Sequence, residues 1–237
     1  MIPDVNPNDI DMLEDQETPG KQAKNPNCTT AGYVPVIAAL RSKFKVEAVD
    51  LVTFQAILGK GDKVAEKEYA SRISGNVIDD WKRSINHNGE EIESEIEPQK
   101  ILGLANTKEK AKSTGLDIDA QTARVPTQYG HLESLRIRFS TEVDVEEVRE
   151  VLEDWGPEEV VRELPSTAER PVKVLNKQPE PRENVCEEDG MSVILGDLRQ
   201  LGEDRVAIFT LSHNLRRGAT WTARQSMELY LKEQRLI

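Results

Sequence analysis

The chain has 237 residues, 37% hydrophobic and 31% charged, which suits a globular protein with a proper core in one or two domains and excludes a disordered chain. A net charge of −12 and a pI near 4.9 argue against nucleic acid and anionic membrane as partners, because affinity for phosphate backbones comes from clustered Lys and Arg. No apolar run approaches the roughly 18 residues of a membrane span, and the acidic, polar N-terminus is unlike a signal peptide, so the expected location is cytoplasmic.

Residues 1–27 are dense in Asp, Asn, Pro and Gly and read as an irregular lead-in, with one hint of a helical turn at Asp11-Met12-Leu13-Glu14. Next comes Asn25-Pro26-Asn27-Cys28-Thr29-Thr30, which places a cysteine between a polar turn and a helix predicted from Ala31 to Phe44. Unpaired amides and the positive end of a helix dipole favour a thiolate there. Such a position can lower a thiol pKa from about 8.5 to about 3.5–7.5, although a lone cysteine also reads as a buried structural one. Val46 to Ile57 reads as a largely buried strand running into Gln55-Ala56-Ile57-Leu58-Gly59-Lys60-Gly61. Gly59 and Gly61 either admit a ligand close to the backbone or form a flexible turn. The third glycine and the helix of a dinucleotide fingerprint are missing, and no other loop offers a phosphate cradle.

Glu90 to Leu102 is helical in composition, with Pro98 predicted to start or kink the helix. Glu97 and Lys100 share a face there, a spacing that by itself means a surface ion pair. Ile118–Thr127 and Leu132–Ser140 read as two strands joined by Gln128-Tyr129-Gly130. Across that hairpin Arg124 and His131 can converge, one to grip a carboxylate and one to move protons near neutral pH, unless His131 is simply an exposed histidine. Asp144 opens a helix with Glu147 placed for a capping box, and Gly156-Pro157 stops it after Trp155. Residues 165–190 look like an excursion or dimer-contact arm, with Cys186 in an acidic loop. Met191–Arg199 and Arg205–His213 are strands with Gly202 in the turn, and a helix from Gly218 to Gln234 carries Ala219, Ala223, Met227, Tyr230 and Leu231 on one face. Cys28 and Cys186 lie far apart, and His87, His131 and His213 have no ligand spacing, so no metal site is expected. This order of elements predicts an α+β fold, a mixed β-sheet with helices on one face.

Several of these stretches together carry a resemblance: Met1-Ile2-Pro3-Asp4-Val5-Asn6-Pro7, Asn25–Thr30, Gln55-Ala56-Ile57, Glu97-Pro98-Gln99-Lys100-Ile101-Leu102-Gly103, Arg124-Val125-Pro126 with Gly130-His131, and Ser212-His213-Asn214-Leu215-Arg216-Arg217-Gly218-Ala219. In this order they resemble aspartate-semialdehyde dehydrogenase, nearer its archaeal and fungal branch. The resemblance implies a glyceraldehyde-3-phosphate dehydrogenase-like C-terminal domain, with the N-terminal Rossmann domain largely missing. Residues 1–27 would be a remnant of the nucleotide-binding domain, 28–214 the catalytic and dimerisation domain, and 215–237 the helix that packs on the nucleotide-binding domain.

The same resemblance implies roles. Cys28 would attack β-aspartyl phosphate and form a thioester, which NADPH reduces to aspartate semialdehyde, with phosphate driving the reverse, in lysine, threonine and methionine biosynthesis. His131 would be the general acid/base and Gln55 would orient the carbonyl. Arg124 would hold the substrate carboxylate, Glu97 its ammonium and Lys100 the phosphate; Gly59, Gly61 and Asn214 would touch NADP, whose site is otherwise absent from this chain. A homodimer or homotetramer, and a separate nucleotide-binding domain as partner, are implied as well. The alternatives are a non-catalytic remnant acting as a dimerisation or binding partner, and a related acyl-thioester reductase such as malonyl-CoA reductase. Glu97 and Arg124 favour an amino-acid substrate over the latter.

Overall fold

Residues 1–58, 71–79, 89–103 and 114–236 are described by a computed structural model of the chain. Among them, seven strands form one sheet in the order β2-β3-β1-β4-β7-β6-β5: β1 Val46–Gln55, β2 Ile78–Asp79, β3 Asp117–Arg124, β4 His131–Phe139, β5 Val172–Val174, β6 Val193–Gly202 and β7 Arg205–Ser212. β1 runs parallel to β3 and antiparallel to β4, and β5 runs parallel to β6, so the sheet is mixed as expected. Strand alternation decides its two faces. In β4, His131, Glu133, Leu135, Ile137 and Phe139 are buried, while Arg136 and Arg138 point outward.

The helices are α1 Cys28–Arg41, α2 Glu90–Ile101, α3 Val145–Asp154, α4 Glu159–Arg162, α5 Pro181–Asn184 and α6 Trp221–Glu233. α1 and α3 cover the buried face, placing Tyr33, Ile37, Leu40, Val148 and Leu152 in one core with Leu51, Leu135 and Ile137. Asp144 caps α3 by accepting the Glu146 N–H at 2.7 Å, whereas Glu147, expected to close a capping box, pairs with Lys43 at 2.7 Å.

Two expectations change. β3 and β4 are not a hairpin, because β1 lies between them and hydrogen-bonds to both. The connection 125–130 is longer than the usual hairpin loop of about two to five residues, and it crosses the end of the central strand. Nor does Pro98 start its helix: α2 runs through it from Glu90 to Ile101. A proline leaves the carbonyl four residues back without its helical donor. Here that carbonyl belongs to Ser94, and the Tyr33 hydroxyl of α1 donates to it.

The lead-in is more ordered than its composition suggests. It forms a 3₁₀ helix over Pro7–Leu13, and Ile10 and Leu13 pack against Val161, Leu164 and Leu229. Asp4, 4% exposed, pairs with the buried Arg217 guanidinium and accepts a 2.8 Å bond from Gln225 of α6. α6 thus buries its polar face, including Thr222, Gln225, Ser226 and Glu228, and leaves Ala223 and Met227 exposed. The excursion 165–190 adds β5 to the sheet edge, and its Pro181 and Val185 pack on Gly130 beside β4.

Asp4→Ala should therefore destabilise the chain by about 3–5 kcal/mol, because it strands a buried guanidinium. Urea unfolding read by circular dichroism measures this; a loss below about 1 kcal/mol, the worth of a surface pair, would contradict it.

Candidate active site

Two polar rows cross the buried face of the sheet where it meets the first turn of α1. The outer row brings Arg124 of β3 beside Gln55 of β1, and His131 of β4 beside Ser212 of β7. The next row is Thr122, Thr53, Glu133 and Thr210, in register over the same four strands. One pair deeper the row is Ala120, Leu51, Leu135 and Ile208, which is core.

α1 begins at Cys28, after Asn27 caps it by accepting the Thr29 N–H at 2.9 Å. Cys28 Sγ lies 3.1 Å from His131 Nε2, and Gln55 Nε2 donates to Thr29 Oγ1 at 2.8 Å. Two glycines allow this close seating. A Cβ on Gly32 would lie 2.7 Å from Ser212 Oγ and 2.8 Å from Glu133 Oε1, and one on Gly218 would lie 2.6 Å from the Cys28 Cβ.

Ala56, just past β1, holds both the imidazole and the guanidinium of the site. Its N–H donates to His131 Nδ1 at 3.0 Å, and its carbonyl accepts from Arg124 Nη1 at 3.1 Å. A nitrogen that accepts from an amide carries no proton, so the neutral imidazole has its hydrogen on Nε2, facing the Cys28 sulfur. Arg124 also pairs with Glu90 at 2.5 Å; both are buried, and Glu90 Oε2 has no partner among the described residues.

The structure therefore brings together Cys28, His131, Gln55 and Arg124. Glu97 is nearby but bonded to the first turn of α1, accepting from the Asn27 N–H at 2.7 Å and the Thr30 hydroxyl at 2.8 Å. Lys100 is exposed in the last turn of α2, about 15 Å along the helix from Glu90 at 1.5 Å per residue. Gly59 and Gly61 lie outside the described residues. Asn214 spends its amide on two loops, donating to the Leu58 carbonyl at 2.6 Å and accepting the Gly130 N–H at 3.0 Å. Glu90 is the site residue that sequence reading missed. Its signal was the recurrence of Glu90, Glu93 and Glu97 along one face of α2.

The thiol is not the low-pKa group expected at a helix N-terminus. Burial pushes Cys28 up to about 12; Glu90 pushes the same way, and Arg124 and the Thr29 amide oppose them. Acceptors also take part of the helix end: Glu97 accepts the N–H of the cap residue Asn27, Asn27 accepts that of Thr29, and Glu93 accepts from Asn27 Nδ2 at 2.7 Å. Burial holds His131 well below the usual imidazole range, with Arg124 and His213 adding to the effect. At neutral pH the pair is thus a thiol and a neutral imidazole.

Among the described residues no group of three or more His, Cys, Asp and Glu could hold a metal ion, and no helix is long and apolar enough to cross a membrane. An open groove of about 1010 Å³, bordered by Lys21, Lys24, Asn25, Gly218 and Ala223, runs beside the site. It offers no glycine-rich phosphate loop after a strand, so the described residues do not by themselves fit a dinucleotide.

Alkylation of Cys28 by iodoacetamide, measured in a Cys186→Ser background, should accelerate about tenfold per pH unit from pH 7 through 10, since the thiolate fraction keeps rising below a pKa near 12. A plateau below pH 9 would contradict this protonation state.

Residues 37–217 match the family model described as semialdehyde dehydrogenase, dimerisation domain. The chain is 32% identical to an aspartate-semialdehyde dehydrogenase of Archaeoglobus fulgidus over 240 residues, 99% of this chain and 66% of that protein. It is 26% identical to a malonyl CoA reductase (NADP) of Metallosphaera sedula over 98% of this chain and 65% of that one. A crystal structure of aspartate semialdehyde dehydrogenase with NADP from Candida albicans superposes with a TM-score of 0.80 at 27% identity, covering 100% of this chain and 67% of that one. The chain spans just under two thirds of the length of the first two relatives.

Proposed function

The chain belongs to the semialdehyde dehydrogenase family through its dimerisation domain, and from that premise we propose that it carries the acyl-transfer half of an NADP-dependent aspartate-semialdehyde dehydrogenase. The observation that supports this most is the 3.1 Å contact between the Cys28 thiol and the His131 imidazole. The sulfur attacks the acyl carbon of β-aspartyl phosphate, the carbon–oxygen bond to phosphate breaks, and the thiol proton ends on the departing phosphate, leaving a Cys28 thioester. His131 Nε2–H stabilises the sulfur as it gains charge, in place of the acid/base role that the resemblance implies, and Gln55, on the neighbouring strand under the same turn of α1, steadies the carbonyl.

We assign the substrate carboxylate to Arg124 and its ammonium to Glu90, whose Oε2 is buried without a partner. An ammonium seated there offsets one of the charges that raise the thiol pKa, so the correct substrate activates its own nucleophile. Glu97 and Lys100 are not carried into these roles, given the bonds of the first to α1 and the distance of the second. A malonyl thioester has no ammonium, so the Glu90–Arg124 pair favours an amino-acid substrate. When bound, NADP supplies the hydride that reduces the thioester. The proposed partner for that step is a nucleotide-binding domain whose residues are not among those described.

The proposed second partner is another copy of this chain, docked on the outer face of the sheet. Asp50, Asp117 and Asp119 occupy one half of that face and Arg136, Arg138 and Arg205 the other, and a two-fold axis sets each half against its opposite.

Mixing the chain with β-aspartyl phosphate tests the acyl-transfer claim without any nucleotide. One phosphate should be released per chain in a burst, with one aspartyl group added to Cys28 by mass spectrometry. Cys28→Ser should abolish the burst, and His131→Ala, which removes the hydrogen-bond donor to the sulfur, should slow it about 10²–10³-fold. Absence of both burst and adduct in the parent chain would overturn the proposal.

A further inference from the structure

Glu133 is a fully buried carboxyl that the reaction above does not use, and its surroundings are unusual for a charge. It lies at 0% exposure in the middle of the sheet, flanked in register by Thr53 and Thr210. The Thr210 hydroxyl donates to Oε2 at 2.7 Å, while Oε1 and the neighbouring Thr53 and Ser212 hydroxyls have no hydrogen-bond partner among the described residues. The titratable groups that face it are Cys28 and Tyr33 from α1 and His131 from its own strand, none of them a cation at neutral pH. Arg124 on β3 is taken up by Glu90 and the Ala56 carbonyl. A carboxylate so placed would be a buried charge with no partner, so the group is a neutral acid, and burial accordingly raises its pKa well above the carboxylate range.

Two spacings then match. On α1, Cys28 and Gly32 are four residues apart and share a helix face; on β4, His131 and Glu133 are two residues apart and share a sheet face. Cys28 meets His131, and Gly32 meets Glu133 and Ser212: a Cβ on Gly32 would stand 2.8 and 3.0 Å from the two carboxyl oxygens and 2.7 Å from Ser212 Oγ. The helix is therefore fastened to the strand at two points, and the second sets the height of the first. We propose that Glu133 is a positioning residue that, as an uncharged acid wedged against Gly32, sets the distance between the Cys28 thiol and the His131 imidazole.

The test reads the rate and pH dependence of Cys28 alkylation in the Cys186→Ser chain, alongside the thermal midpoint, so it does not depend on whether the chain turns over any substrate. Glu133→Gln keeps the shape and the lack of charge and should leave the pH dependence unmoved. Gly32→Ala pushes α1 off the carboxyl and should change the alkylation rate by about tenfold or more, as misplacement of reacting groups does. The methyl would also meet Ser212 Oγ, so the rescue is read in a Gly32→Ala, Ser212→Ala chain, where that hydroxyl is gone. Adding Glu133→Asp to it withdraws the carboxyl by one methylene and should bring the rate back within about threefold of the parent, and restore the fold if the Gly32→Ala, Ser212→Ala chain loses it. The proposal is overturned if Glu133→Gln shifts the pH dependence by a unit or does not fold, or if the triple variant is no closer to the parent than the Gly32→Ala, Ser212→Ala chain. A Gly32→Ala chain with the parent's rate overturns it as well.

Discussion

Everything in this site depends on how closely the first turn of α1 approaches the sheet. Bare backbone does the touching: Gly32 presses on Glu133 and Ser212, and Gly218 presses on Cys28 from the other side. A side chain at either glycine would have to displace neighbours, and the thiol would leave the imidazole. The rest of the architecture holds this arrangement. Asp4 and Arg217 tie the lead-in to the turn that carries Gly218, and the Asn214 amide ties the loop after β1 to the residue before His131.

Close seating has an electrostatic consequence. It removes water from a thiol and an imidazole at once, and each answers by staying neutral. The Ala56 amide then fixes which imidazole nitrogen bears the proton, and the Ala56 carbonyl orients the guanidinium on the opposite side. One peptide residue therefore sets both the proton geometry at the Cys28 thiol and the placement of the guanidinium proposed to hold a carboxylate. At rest both groups are uncharged, and the substrate ammonium proposed at Glu90 would relieve part of the penalty on a thiolate.

Much of this was legible in the sequence. Alternation gave the central strands, and the motif order gave the family that the residue 37–217 match identifies. The resemblance makes one constellation of Cys28, Gln55, Arg124, His131, Glu97 and Lys100; the structure brings the first four together, holds Glu97 to the start of α1 and leaves Lys100 at the far end of α2. Pairing was less legible, because alternation fixes which face a residue takes and not which strand lies beside it; Arg124 and His131 converge across β1, not across a hairpin. The path of α2 through Pro98 rested on a Tyr33 hydroxyl from another helix, a tertiary bond that local pattern cannot show. The thiol pKa was misjudged for a similar reason. Helix position is written in the sequence, whereas burial and the acidic residues that take the helix amides are not. Glu133 falls in this class too, since alternation in β4 shows an inward Glu but not the glycine that meets it.

The central claim is that a neutral His131, bearing its proton on Nε2, faces a neutral Cys28 thiol. Nitrogen-15 NMR of the His131 imidazole between pH 6 and 9 tests it most directly. The account predicts a protonated Nε2 and an unprotonated, hydrogen-bond-accepting Nδ1 throughout that range. An imidazolium signal, or a neutral ring with its proton on Nδ1, would contradict it.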